Sequence, residues 1–386
     1  MALSIGRSTQ DLSRRDLSRR RDLSAPWRHI DLVLVVATVA LAAMGTLMVF
    51  SATKGSGDVA DTTYLKRELL WMVVGLGAMA GVALFDYRRL LDWVWPIYGL
   101  SLLALVLVVS PLGQRSKGAQ AWFGFGAFQL QPAEFAKLAL IIALAALLSA
   151  YEGHVDLRRL GILLGVAGAP MLLIMLQPDL GMVLIFLAVL MVMLLVGGVR
   201  GRYLLALLLI GVVATFGVLN SSVLKQYQKD RLTAFINPAN DTQGATYNVN
   251  QSQTAIGAGG VAGQGLFNGR QTQLRFVPEQ QTDFIFTVVG EELGFVGASV
   301  VLGLYATILW RVWRAAALAR DRFGQLLCAG VLAFFLFQVF ENVGMAMGIM
   351  PVTGIPLPFL SYGGTSIVTS FIGVGLVLSV HMRRFR

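Results

Sequence analysis

Long apolar runs recur along the chain, such as "IDLVLVVATVALAAMGTLMVF" and "GMVLIFLAVLMVMLLVGG". About 18 or more mostly apolar residues, wound as a helix at about 1.5 Å per residue, span a hydrocarbon core about 30 Å thick. Ten such spans are predicted, at roughly 31–52, 68–85, 92–110, 132–150, 160–176, 181–198, 203–220, 284–310, 324–349 and 364–381. Only 13% of the 386 residues are charged, about half the share a soluble protein keeps. The expected fold is an all-α polytopic membrane protein. A membrane β-barrel needs shorter, alternating segments, and the sequence has none.

The net charge of +10 follows membrane topology rather than a nucleic-acid partner. With the basic N-terminus inside, the inside segments hold Arg88 and Arg89, Arg158 and Arg159, Arg200 and Arg202, Arg311 to Arg322, and Arg383 to Arg386. These loops are short, where the positive-inside rule applies. Both termini are then cytoplasmic, and a long extracytoplasmic loop joins helices 7 and 8. Three parts are expected: a basic cytoplasmic tail over 1–30, a ten-helix membrane domain over 31–382 and a basic end over 383–386. The tail repeat "DLSRRDLSRRRDLS" has no aromatic interleaving and reads as a solvated or lipid-surface segment. No cleavable signal pattern precedes the first span, which reads as a signal anchor. Cys328 has no disulfide partner, and His29, His154 and His381 all fall at cytoplasmic edges, so a His/Cys metal site is not expected.

Two outside segments are long, about 111–131 and 221–283, and long loops in a compact bundle are usually functional or disordered. The second contains "AIGAGGVAGQGLFNGR", but no GK[ST] ending and no preceding strand make it a phosphate loop. Its glycines suit a tight backbone path instead. Glu134 and Lys137 stand three apart on one helical face, where they can pair with each other or with a ligand. Asp179 in "QPDLG" reads as a helix N-cap.

The stretch "FVPEQQTDFIFTVVGEELGF" carries Glu279, Asp283, Glu291 and Glu292. On a continuous helix Glu291 lies about 12 Å deeper than Asp283, and Glu292 points to roughly the opposite side. Both read mainly as packing groups. Asp283 falls at the loop–membrane junction, where an ionised carboxylate can act as a general base. Position alone leaves that role open against N-capping of the eighth span.

These segments, with "QLQPAEFAKL", "QSQTAIGAGGVAGQGL" and "NVGMAMGIMPVTGIPLPFLSYGGTS", resemble the SEDS family (shape, elongation, division and sporulation). Order and spacing agree from about residue 31 to 382, and "PVTGIPLPFLSYGG" is similar to the rod-shape branch. The resemblance implies a peptidoglycan glycosyltransferase of the bacterial cytoplasmic membrane that polymerises lipid II at the outer face. It implies Asp283 as the essential carboxylate, with Trp122, Glu134, Lys137, Gln251 and Ser252 in the cavity. Gln281 stands where the family usually has His, and Ala133 where it has Ser. An inverting reaction would expel a pyrophosphate, whose charge Lys117, Lys137, Arg270 or Arg275 could receive, with a divalent cation such as Mg or Mn as a further expectation. A class B penicillin-binding protein and other elongation-complex proteins are the expected partners. The rival readings are a flippase for lipid-linked precursors, which would need midplane charges such as Glu291 or Glu341, and a non-catalytic scaffold.

Overall fold

The computed structural model describes residues 29–54, 62–116, 119–125, 128–219 and 244–385. The basic tail, Lys117 and residues 220–243 lie outside the described residues. The helices are α1 (Leu32–Lys54), α2 (Thr63–Leu84), α3 (Leu90–Val109), α4 (Pro132–Ala150), α5 (Leu157–Leu176), α6 (Leu180–Val196), α7 (Gly201–Leu219), α8 (Ala245–Gly259), α9 (Arg270–Gln273), α10 (Ile285–Ala317), α11 (Arg322–Ala346) and α12 (Gly364–Met382).

Among the described residues, eight helices are long and apolar enough to cross a membrane, while α6 and the apolar part of α7 are shorter. Each of the ten apolar runs coincides with a helix. Helices α4, α11 and α12 are buried over most of their length. Outer helices instead expose large apolar side chains, such as Val73, Trp93, Leu100 and Leu172. Apolar exposure on that scale suits contact with lipid. Helices α2 and α12 pack closely: a Cβ on Gly75 would lie 2.3 Å from the Phe371 ring.

Three findings revise the sequence reading. The chain is not purely helical, because the first long loop folds into an antiparallel sheet of β1 (Gln114–Ser116), β2 (Ala119–Phe125) and β3 (Phe128–Leu130) in that order. The described part of the second loop forms α8 and α9. The eighth span is not one straight helix, because Gly294 breaks α10 with φ 64° and ψ −161°. Glycine is needed there: a Cβ would meet Gly263 N at 2.3 Å and Val261 O at 2.7 Å, and that φ disfavours side chains. Residues 285–292 are buried, whereas Phe295, Val296 and Val300 beyond the break are exposed.

Hydrogen bonds divide the bundle into two ends. At one end, Gln131 before α4 meets Thr365 and Asp179, and Glu292 meets Ser51 at the end of α1. At the other, Asp321 before α11 accepts from Tyr87 and lies 3.4 Å from Arg88, and Arg311 pairs with Asp31 at 2.6 Å. The basic loops lie at this second end.

Candidate functional site

Polar groups converge where α4, α11 and α12 meet. Pro132 opens α4 without sacrificing an intrahelical bond, and the helix carries Glu134 and Lys137 into the interior. There Lys137 Nζ lies 2.7 Å from Glu134 Oε2, with both side chains essentially inaccessible. Thr369 on α12 donates to the same carboxylate oxygen at 2.8 Å. Lys137 also reaches Gln338 Oε1 at 3.4 Å and lies 4.8 Å from the Phe334 ring centroid. Buried charges require this kind of compensation, since several kcal/mol is the usual cost of removing each from water.

The pair does not saturate its surroundings. Glu134 Oε1, Gln338 Nε2, Asn342 Oδ1, both carboxylate oxygens of Glu341 and both polar side-chain atoms of Gln177 are buried without a protein partner. Buried polar atoms are normally paired. These atoms, on α4 and α11 and at the end of α5, are buried polar groups that water or a polar ligand could satisfy.

Asp283 is linked to that interior through α11. Asn342 Nδ2 donates to the Asp283 carbonyl at 2.7 Å and to the Ile355 carbonyl at 2.8 Å. Asn342 lies one turn beyond Gln338 on the same face, so one helical face holds both Lys137 and the backbone of Asp283. The Asp283 N–H donates to the Glu279 carbonyl at 3.0 Å, and the residue is half-buried. N-capping is not its role: the cap position of α10 is Phe284, with no side-chain cap. Asp179 does cap α6, accepting from Met182 N at 3.0 Å.

The neighbouring acids hold the loop. Glu291 accepts from the N–H groups of Gln271 and Thr272 at 2.7 and 2.9 Å and from the Thr272 hydroxyl at 2.7 Å. Ser51 donates to Glu292 at 2.5 Å. Ser252 is also committed to packing, with its hydroxyl 2.6 Å from Thr287 Oγ1 and donating to the Ala346 carbonyl at 2.8 Å. Half-buried Trp122 sits on β2 opposite Gln114, half-buried Gln251 lies on α8, and exposed Arg270 opens α9. Arg275 reaches back to the Thr53 carbonyl at 3.1 Å. Near them, burial pushes the Tyr362 phenol up against the opposing pull of Arg67.

Sequence reasoning missed Gln338, Asn342 and Thr369. The available signal was weak: amides spaced by one turn in an otherwise apolar helix, beside Glu341.

Fold and site together define a polytopic membrane protein with an ion-paired polar interior near one end and a half-buried carboxylate above it. The FtsW/RodA/SpoVE cell cycle protein profile matches residues 32–385, and the chain belongs to that family. It is 38% identical to stage V sporulation protein E of Bacillus subtilis strain 168, over 91% of this chain and 96% of that one. It is 36% identical to peptidoglycan glycosyltransferase MrdB of Escherichia coli K12, over 92% and 94% of the two chains. Among solved structures, a chain of a peptidoglycan synthase complex described as coordinating polymerization and crosslinking superposes with a TM-score of 0.76. It is 33% identical, with 92% of this chain and 99% of that chain covered. The rod shape determining protein RodA of Thermus thermophilus gives a TM-score of 0.69 at 32% identity, covering 92% and 98%.

Proposed function

We propose that this chain is a peptidoglycan glycosyltransferase that polymerises lipid II at the outer face of a bacterial cytoplasmic membrane. All ten apolar helices, the shorter α6 and α7 included, then cross the bilayer, both termini are cytoplasmic, and the end bearing Asp283 is extracytoplasmic. The observation that carries the reading is the half-buried Asp283 at the start of α10, held by Asn342 one turn from the residue that contacts Lys137. Asp283 takes the proton from the acceptor sugar hydroxyl as that oxygen attacks the donor's anomeric carbon. The new β-1,4 bond forms with inversion, and the donor's bond to undecaprenyl pyrophosphate breaks. The base has the same task in inverting glycosidases.

Lys137 is the first cation proposed to receive the pyrophosphate charge, with Glu134 orienting it. Trp122, Gln251, Lys117, Arg270 and Arg275 complete the proposed substrate surface, while Ser252, buried and bonded to Thr287 and Ala346, supports it from behind. The residues do not fit a resident metal centre: among the described residues no three His, Cys, Asp or Glu groups converge. A divalent cation is proposed only as a companion of the pyrophosphate. A class B penicillin-binding protein is the proposed partner, supported by the synthase complex among the structural relatives. The work of the pair is assigned to elongation and cell shape.

The test is polymer formation on a gel from lipid II, with purified protein and its transpeptidase partner. Asp283→Asn is expected to lose about 100-fold or more in rate, the usual contribution of a general base. Equal polymer from variant and wild type overturns the assignment of Asp283. A scaffold would produce no polymer of its own, and a flippase would depend on Glu341 rather than Asp283.

A further inference from the structure

One cavity is lined by neither residue of the ion pair. It has a volume of about 230 Å³ and is bounded by Ala52 and Thr53 at the end of α1, Tyr64 at the start of α2, Arg275 and residues 277–281. Pockets that enclose a whole drug-sized ligand run to about 300–1,000 Å³, so this one suits a side branch of a larger molecule. Its wall is strained at two points, because Arg275 and Glu279 both adopt φ 54°. Positive φ at a residue other than glycine is disfavoured and tends to collect at ligand-binding sites.

The wall offers three kinds of recognition. Arg275 donates through Nη2 to the Thr53 carbonyl, one bond from a fork of five donors that can clasp a carboxylate. Gln280 is 2% exposed. Its Nε2 donates to the carbonyls of Thr272 and Ala52 at 2.9 and 3.3 Å, which fixes the amide's orientation. Its Oε1 has no protein partner. Glu279 adds a carboxylate to the same wall.

We infer that this cavity binds the peptide stem carried by the lipid-linked disaccharide, with Arg275 holding a stem carboxylate. The inference rests on the glycosyltransferase reading for the identity of the substrate. Pyrophosphate fits poorly, since it is multiply anionic beside Glu279 and brings no donor for Gln280. A neutral sugar can hydrogen-bond to these groups through its hydroxyls but brings no carboxylate to match the Arg275 guanidinium. A peptide supplies amide donors and carboxylates together.

The cavity is also joined to the proposed base. The Glu279 carbonyl accepts from the N–H groups of Thr282 and Asp283 at 3.1 and 3.0 Å. A stem seated against Glu279 therefore steadies the turn that presents Asp283.

The experiment compares two lipid-linked substrates, one with the full stem and one with the peptide removed, using the full chain with its partner. For Arg275→Gln, KM for the stem-bearing substrate is expected to rise about tenfold, the loss of one charge-assisted bond. KM for the trimmed substrate should rise much less than for the stem-bearing one, and Arg275→Lys should keep part of the preference. Equal losses on both substrates, or no change on either, overturn the proposal. Saturable binding of a synthetic stem peptide to purified protein, weakened in Arg275→Gln at an unchanged melting temperature, provides a readout independent of turnover. Absence of that binding in the wild type overturns the inference. Peptide binding by a wild type that polymerises neither substrate supports the cavity and counts against the glycosyltransferase reading instead.

Discussion

Lys137 and Glu134 are buried side by side, and each is tolerable only because the other is there. Removing one partner from a buried pair typically costs about 3–5 kcal/mol, because the remaining charge is left uncompensated. Glu134→Gln and Lys137→Met should each lower the melting temperature of the purified protein. The double variant replaces both charges with neutral groups and should recover most of the lost stability while glycan synthesis stays absent. Recovery of synthesis along with stability would show that the pair serves folding alone. The spacing of three residues made this contact legible in the sequence. Its partners Gln338 and Thr369 were not, because they lie more than two hundred positions away and nothing local marks their direction. Asp283 was legible as a candidate by its position at a membrane boundary, but only the structure, with Phe284 at the cap position, separated it from a capping role.

At the scale of elements, the apolar runs were readable because a helix satisfies its own backbone and lipid demands that it do so. The break in α10 was not. A positive φ at Gly294 depends on how closely residues 261–263 approach, and those contacts are tertiary. The sheet at 114–130 was hidden for a related reason: its strands are short, and each pairs with a near neighbour in sequence. Gly294→Ala should therefore act locally. The added Cβ would press on Gly263 N and strain the backbone, and a cost of about 1–3 kcal/mol is expected. Limited proteolysis should cut faster within 260–275 than in wild type, and polymerisation should fall because that loop supports the turn bearing Asp283. Glu291→Ala should produce the same cleavage pattern, since it removes the acceptor for Gln271 and Thr272. Unchanged cleavage in both variants would detach the loop from the break.

Across the whole molecule, the two ends do different work. The basic end is fastened by Asp31 with Arg311, Asp86 with Arg383 at 3.7 Å, and Tyr87 with Asp321. Burial and the Asp321 carboxylate push the Tyr87 phenol up to about 12, so it stays a neutral donor throughout any ordinary assay range. The opposite end carries strained turns, unpartnered polar groups and the proposed base. Such a division suits an enzyme that keeps its frame rigid on one side of a bilayer and meets substrate on the other. Orientation is directly measurable because Cys328 is buried and gives a silent background. Val261 is 70% exposed near the break in α10, and Arg320 is exposed between α10 and α11. A membrane-impermeant maleimide should label Val261→Cys in intact spheroplasts, and Arg320→Cys only after the membrane is permeabilised. The reverse pattern would place Asp283 in the cytoplasm, away from an extracytoplasmic glycan, and would favour the rival flippase reading.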